Sequence, residues 1–290
     1  MREIEHVSVI GAGFTGKQIA ATTALHGYNV RIFDINSEIL EEAKKYINGV
    51  LKRNKKHEFL NNVHYYNNIE DAVKNADLAI EAIPENIELK KKVFSQIEKC
   101  APKNVIIATN SSSIPVSKIE DAVRTKDKLL NLHFYPPIPR SPMVDIMGGT
   151  ETSNETFEIG KKWILSIGCH PIILKKESHG FVFNRMWHAA RREALKLWAG
   201  GYADIETIDL AWKTFTGMKM GPFVLMDGIG LDTVYAVQMS YYDESGDIRD
   251  KPPDALKEMV DKGDLGIKTG KGFYTWAKKK QTKITFLKST

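Results

Sequence analysis

VSVIGAGFTGKQIAATTALHGYNVRIFDIN, Val7 to Asn36, reads as an apolar strand, a G-x-G-x-x-G turn at Gly11, Gly13 and Gly16, a helix burying Ile19, Ala20 and Leu25, and a second apolar strand ending at Asp34. Each glycine has its own task. Gly11 permits the tight turn out of the strand, Gly13 lets the backbone approach a pyrophosphate, and Gly16 lets the helix pack closely on the sheet. Phe14 and Thr15 complete the turn and belong to the same cradle. The N–H groups that open the helix have no intrahelical acceptor, so they suit an anion. Asp34, at the tip of the second strand, can accept from both hydroxyls of an adenosine ribose. Ile35, Asn36 and Ser37 bring no Arg or Lys to meet a 2′-phosphate, which favours NAD over NADP. Glycine clusters also occur in ordinary turns. A strand before, a helix after and an acid at the expected distance make this one a dinucleotide cradle.

The chain of 290 residues is long enough for two domains with a substantial core, and its 42% hydrophobic and 27% charged content is that of a globular protein. A formal charge of +5 gives weak support for an anionic substrate. Without an aromatic-studded basic repeat it gives none for nucleic acid. The lysine runs Lys90 to Lys92 and Lys278 to Lys280 read as solvated faces. Cys100 and Cys169 lack metal-ligand spacing and suit reduced thiols, so no metal is expected. The first residues lead directly into the first strand, and no apolar run is long enough for a bilayer; the expectation is a cytoplasmic protein without a membrane partner.

Beyond Asp34, the spacing of Ile39, Leu40, Ala43, Ile47, Val50 and Leu51 predicts a helix from Ser37 to about Lys56, capped by Ser37. Its basic end, Lys52, Arg53, Lys55 and Lys56, suits a helix C-terminus; the sharper alternative is a landing site for a substrate phosphate. VHYYNN then predicts a strand, IEDAVKNA a short helix, Leu78 to Ile83 a strand, and Ile87 to Cys100 a helix. VIIATNSSS is a buried strand entering a polar loop, and IPVSKIEDAV reads as another short helix. LLNLHFYPPIPRSPMVDIMGG is two strand-like runs whose connection, with Pro136, Pro137, Pro139 and Pro142, excludes a helix. A helix from Glu155 to Ile167 and a closing strand in HPIILKK complete an alternation that predicts a doubly wound α/β domain over residues 1–179. ESHG, Glu177 to Gly180, is a hinge. After it the periodicity is helical throughout, so residues 180–290 form a smaller all-α domain.

Ligands of an open α/β sheet lie beyond the carboxyl ends of its strands, so reactive side chains are sought there. Asn110 to Ser113 follow one strand, His133 ends another, and Asn184 and Arg185 follow the hinge. A histidine near a nicotinamide can take the proton of a carbinol while hydride leaves, because its free pKa is close to neutrality. It needs a carboxylate on its other ring nitrogen, and Asp145 on the return strand is the nearest candidate. Plainer roles compete: a single histidine is more often structural, Ser113 can cap the short helix that follows it, and Asn184 can bond a neighbouring backbone group.

At these residues the chain resembles the L-3-hydroxyacyl-CoA dehydrogenases. The likeness runs through GAGFTG with Asp34, ENIELK, the NSSS loop, HF-x-PP-x-P, GFVFNR, GPFVLMDGIGLD and KTGKGFY. It implies a Rossmann-type NAD domain joined to a helical dimerisation domain, hence a homodimer, and reversible oxidation of a 3-hydroxyacyl thioester to a 3-ketoacyl thioester. By position it makes His133 the general base, sets Ser112 and Asn184 on the reacting oxygen and the acyl carbonyl, and puts Glu85 and Lys90 on the nicotinamide side, with Asn110 among the cofactor-binding residues.

The chain departs from the family pattern in places. Asp145 stands where the family has glutamate; one methylene shorter, it requires closer strands or a bridging water to reach His133. Tyr135-Pro136 replaces the usual asparagine before proline, and the segment from Arg53 to Asn68 is shorter than the family's CoA-contacting helical hairpin. Relatives that oxidise free hydroxy acids, the L-gulonate and carnitine dehydrogenase type, are also similar. Arg140, Arg191 and Arg192 could grip a free carboxylate, although ion pairing within the protein suits at least two of them better. A dinucleotide-binding sensor without turnover is a further reading. GPFVLMDGIGLD suits core packing, and KTGKGFY, without the spacing of a phosphate loop, suits turns that place Phe273 and Tyr274 against the domain.

Overall fold

The computed structural model describes residues 3–138 and 140–276, so Pro139 and the run Lys278 to Lys280 lie outside the described residues. The chain divides into two compact units between Phe183 and Asn184, a few residues past the boundary read at the ESHG hinge.

The first unit alternates as the periodicity predicts. Its elements are β1 (His6–Ile10), α1 (Gly16–Leu25), β2 (Asn29–Phe33), α2 (Ser37–Arg53), β3 (Val63–Tyr66), α3 (Ile69–Val73), β4 (Leu78–Glu81), α4 (Ile87–Cys100), β5 (Ile106–Thr109), β6 (Leu129–Phe134), β7 (Met143–Gly148), α5 (Asn154–Ser166) and β8 (His170–Ile173). The strands form one sheet in the order β3-β2-β1-β4-β5-β6-β7-β8, parallel throughout except for the antiparallel pair β6 and β7. Strands β4, β5 and β6 are buried at every position, the apolar-run signature of a sheet covered on both faces. One face packs Ile19, Ala20, Ile47 and Trp163 over Val9, Ile80 and Leu132; the other packs Phe94 and Ile97 over Ile10 and Ile107. Strand order reverses between β1 and β4, and the crevice at such a switch point is where these sheets take ligands.

Two local expectations are corrected. Asn36 rather than Ser37 caps α2, accepting from Glu38 N at 2.8 Å. IPVSKIEDAV forms two short 3₁₀ turns, Val116–Lys118 and Glu120–Ala122, not a helix. Ile119 between them sits at φ −122°, and the buried Glu120 carboxylate accepts from Thr150 N at 3.0 Å instead of facing solvent.

The second unit holds the rest of α6 (Phe183–Ala199), then α7 (Ile205–Thr216), α8 (Pro222–Ile229), α9 (Leu231–Ser245) and α10 (Asp254–Asp261), around Leu195, Phe223, Met226, Leu231, Val234 and Leu256. KTGKGFY is a set of turns tied down by one acid. Asp227 accepts from Phe273 N and Tyr274 N at 2.9 Å and from Trp276 Nε1 at 2.8 Å, which seats the Phe273 ring against Phe223. A Cβ on Gly272 would lie 2.2 Å from the Asp227 carboxylate, so only glycine allows that closure.

Candidate active site

The glycine turn has the shape its spacing implies. Gly11 adopts φ +105°, and a Cβ there would meet Ala82 O at 2.6 Å; on Gly16 it would meet Gly11 O at 1.8 Å. At Gly13 a Cβ would meet nothing within 4 Å, which leaves the open approach a pyrophosphate needs. Thr15, in the N-cap position of α1, makes no side-chain cap, and no acid occupies the first turn, so no side chain competes with an anion there; Lys17 N and Gln18 N donate to Gly13 O and Thr15 O. Phe14 is exposed on the turn, and its carbonyl accepts from Gln18 Nε2 at 3.0 Å. Asp34 is anchored beside the turn: Oδ2 accepts from Ala12 N at 2.9 Å and Oδ1 from Asn36 N at 3.0 Å. These residues fit a dinucleotide, with an acid where a 2′-phosphate would be repelled.

A charged cluster stands at the ends of β4 and β5. Lys90 is only 1% exposed, which corrects its reading as a solvated face. Its Nζ lies 2.7 Å from Glu81 Oε1 and 3.0 Å from Glu85 Oε2. Lys90 thus acts on the rest of the site through Glu85. Glu81 also accepts from Thr109 Oγ1 at 2.7 Å. The Glu85 carboxylate gathers the serine loop, accepting from Ser111 Oγ, Ser112 N, Ser113 N and Ser113 Oγ. Burial pushes its carboxyl up, but the Ser111 hydroxyl, the Lys90 ammonium and the Ser113 hydroxyl outweigh this and hold it down at about 2. Ser113 therefore binds Glu85 and caps no helix. The Ser112 hydroxyl makes no hydrogen bond among the described residues and faces outward. Asn110 Oδ1 accepts from Phe134 N at 2.9 Å, tying this loop to the end of β6.

His133 and Asp145 are direct cross-strand partners on β6 and β7. His133 Nδ1 lies 3.2 Å from Asp145 Oδ2, so the shorter acid reaches the ring without a bridging water. Because a carboxylate only accepts, Nδ1 carries the proton, and in the neutral ring Nε2 is then the acceptor. The Tyr135 hydroxyl donates to the same Oδ2. Phe181 stacks on the imidazole at 4.5 Å and 5°. The sheet thus brings Gly11, Asp34, Glu85, Ser112 and His133 to its carboxyl edge. Asn184 opens the second unit, half-buried in the first turn of α6.

Two of the candidate carboxylate-binding arginines are engaged inside the second unit. Arg192 pairs with Asp250 and the buried Arg191 with Gln238, while Arg140 is exposed in the first unit. Glu81, the Tyr135 hydroxyl and Phe181 escaped the sequence reading. A glutamate ending an apolar strand nine residues before Lys90 was a visible signal; the ring contacts had none.

The family model of the 3-hydroxyacyl-CoA dehydrogenase NAD binding domain matches residues 6–178, and that of the same family's C-terminal domain matches residues 180–276. The chain belongs to the 3-hydroxyacyl-CoA dehydrogenase family. It is 34% identical to a 3-hydroxybutyryl-CoA dehydrogenase of Clostridioides difficile, over 94% of this chain and 99% of that relative. Among solved structures, an (S)-3-hydroxybutyryl-CoA dehydrogenase of Ralstonia eutropha is 33% identical with a TM-score of 0.88, covering 95% of this chain and all (100%) of that one. A diketoreductase described as acting on dicarbonyl compounds is 34% identical with a TM-score of 0.85, at the same coverage of 95% and 100%. As a member of this dehydrogenase family, the chain is an NAD-dependent oxidoreductase whose glycine turn and Asp34 belong to the NAD-binding domain.

Proposed function

We propose that the protein interconverts an L-3-hydroxyacyl-CoA and a 3-ketoacyl-CoA, with His133 as the general base. The observation that carries this is the buried His133–Asp145 pair at the carboxyl edge of the same sheet that presents the glycine turn. With Nδ1 committed to Asp145, Nε2 takes the hydroxyl proton, and the Asp145 carboxylate stabilises the imidazolium that forms. NAD, when bound, supplies the acceptor for the hydride that leaves the carbinol carbon. The outward Ser112 hydroxyl can hydrogen-bond the reacting oxygen. Asn184 takes its role at the acyl carbonyl from the family resemblance.

Support for CoA comes from a groove of about 640 Å³ between α2 and β3, lined in part by Ser37, Lys44, Lys52 and Tyr65. Lys52 suits a phosphate group, while Lys44 pairs with Glu41 of the same groove at 3.8 Å. The second reading, a free hydroxy acid or dicarbonyl substrate, is favoured by the short segment before β3 and by the likeness to a diketoreductase. NADH formation measured with 3-hydroxybutyryl-CoA beside free 3-hydroxybutyrate, gulonate and carnitine separates the two. Robust turnover of the thioester alone is expected, and turnover of a free acid alone overturns the CoA reading. His133→Ala should lower kcat by roughly 10²–10⁴-fold, the usual worth of a positioned base, with NAD affinity unchanged. Undiminished turnover would remove His133 from this role.

We also infer a homodimer. It is supported by apolar side chains that the second unit leaves exposed, Phe215 at 94% and Leu210 at 60% among them.

A further inference from the structure

We propose that Tyr135 is a positioning residue that lets the shorter acid Asp145 hold His133, an inference that rests on His133 being the base. Tyr135 and Asp145 meet at one hydrogen bond. The Tyr135 O–H donates to Asp145 Oδ2, the oxygen that also accepts from His133 Nδ1 at 3.2 Å. Asp145 is fully buried, and its other oxygen, Oδ1, has no hydrogen-bond partner among the described residues. The carboxylate therefore rests on two donors that share one oxygen.

The bond to His133 is at the long end of the N–H···O range and leaves the carboxylate poorly fixed by itself. Aspartate can rotate about its last side-chain bond, a broad torsion with little intrinsic preference. The phenol removes that freedom by pinning Oδ2 toward the imidazole. Its ring also stands edge-on to His133, with centroids 4.5 Å apart at 70°. Phe181, stacked on the imidazole face, restrains tilt but not sliding within the ring plane. The hydrogen bond through Asp145 is what sets that in-plane position, and hence where Nε2 points.

The test is a double-mutant cycle of Tyr135→Phe and Asp145→Glu, read as kcat and KM for carbinol oxidation, with His133→Ala alongside. Tyr135→Phe keeps the ring and removes only the hydroxyl. It should lower kcat roughly 3–10-fold, with KM and NAD affinity nearly unchanged. Asp145→Glu alone should also lose activity, because the longer acid meets the phenol. The double variant should turn over faster than Tyr135→Phe alone, since glutamate reaches His133 without the phenol. A merely structural tyrosine would not be rescued by a longer acid. An unchanged kcat in Tyr135→Phe, or losses that simply multiply in the double variant, would overturn the proposal. If His133→Ala is inactive while Tyr135→Phe is silent, only the role of Tyr135 falls. If His133→Ala turns over like the parent, the base assignment falls and takes this role with it.

Discussion

Asp34 shows how one carboxylate can serve the fold and the cofactor together. Both its oxygens hold backbone N–H groups, of Ala12 and Asn36, so the acid is fixed before any ribose arrives. A fixed acceptor loses little freedom on binding, and charged hydrogen bonds each contribute roughly 1.5–3 kcal/mol. Asp34→Ala should therefore weaken NAD about 10-fold or more while weakening NADP less, because it also removes the repulsion of a 2′-phosphate. Fluorescence titration of both dinucleotides gives the ratio, and equal weakening would count against the discrimination assigned to this acid. Asp34 was legible because strand, turn and acid lie along one continuous stretch. Tyr135 was not, since its meaning depends on how a proline-rich connection folds back on β7.

Between elements, the joint that matters most is α4 against β4. Lys90 projects from α4 into a fully buried position between Glu81 and Glu85, where burial pushes the Glu81 carboxyl up and the Lys90 ammonium and the Thr109 hydroxyl pull it back. Removing one member of a buried ion pair strands the other at a cost of about 3–5 kcal/mol. Lys90→Met should therefore destabilise the first unit more than Glu81→Gln, because Lys90 keeps Glu85 in the second case. The pH dependence follows from the direction of the shift. A glutamate whose folded pKa lies above its unfolded value contributes stability below the ordinary carboxylate range and loses it as pH rises through the folded pKa. The deficit of Lys90→Met against the parent should thus grow as pH rises above about 4.5, measured by urea unfolding at several pH values. A deficit independent of pH would mean that Glu81 is not stranded. The helices and strands around this joint were legible from apolar spacing alone, α4 from Ile87 to Cys100. The burial of Lys90 was not, because a run of lysines on an amphipathic helix normally marks its wet side. The failed helix after Ser113 has a similar cause: its apolar residues satisfy a helical pattern, but Glu120 is drawn inward by Thr150, a partner far along the chain.

For the whole molecule, the outstanding question is what covers α7. Its sequence, IETIDLAWKTFT, is rich in apolar residues, yet Asp209 is the residue it buries, in a capping contact with Phe223 N at 2.8 Å on α8. Ile205 and Ile208 of α7 pack against the core of the second unit, yet the helix also exposes Leu210 and Phe215 to water. Such a patch suits an interface, and a stable homodimer buries roughly 2,000 Å² or more. In the proposed homodimer a second copy would supply the same patch by two-fold symmetry, so substitutions on α7 would count twice across the pair. Leu210→Glu combined with Phe215→Glu should convert a species of twice 32.7 kDa into one of 32.7 kDa in light scattering or sedimentation. NAD affinity should survive, because the glycine turn and Asp34 belong to the other unit. The parent chain running as a monomer at every concentration, or a variant that stays dimeric, would show that α7 is covered by something other than a second copy.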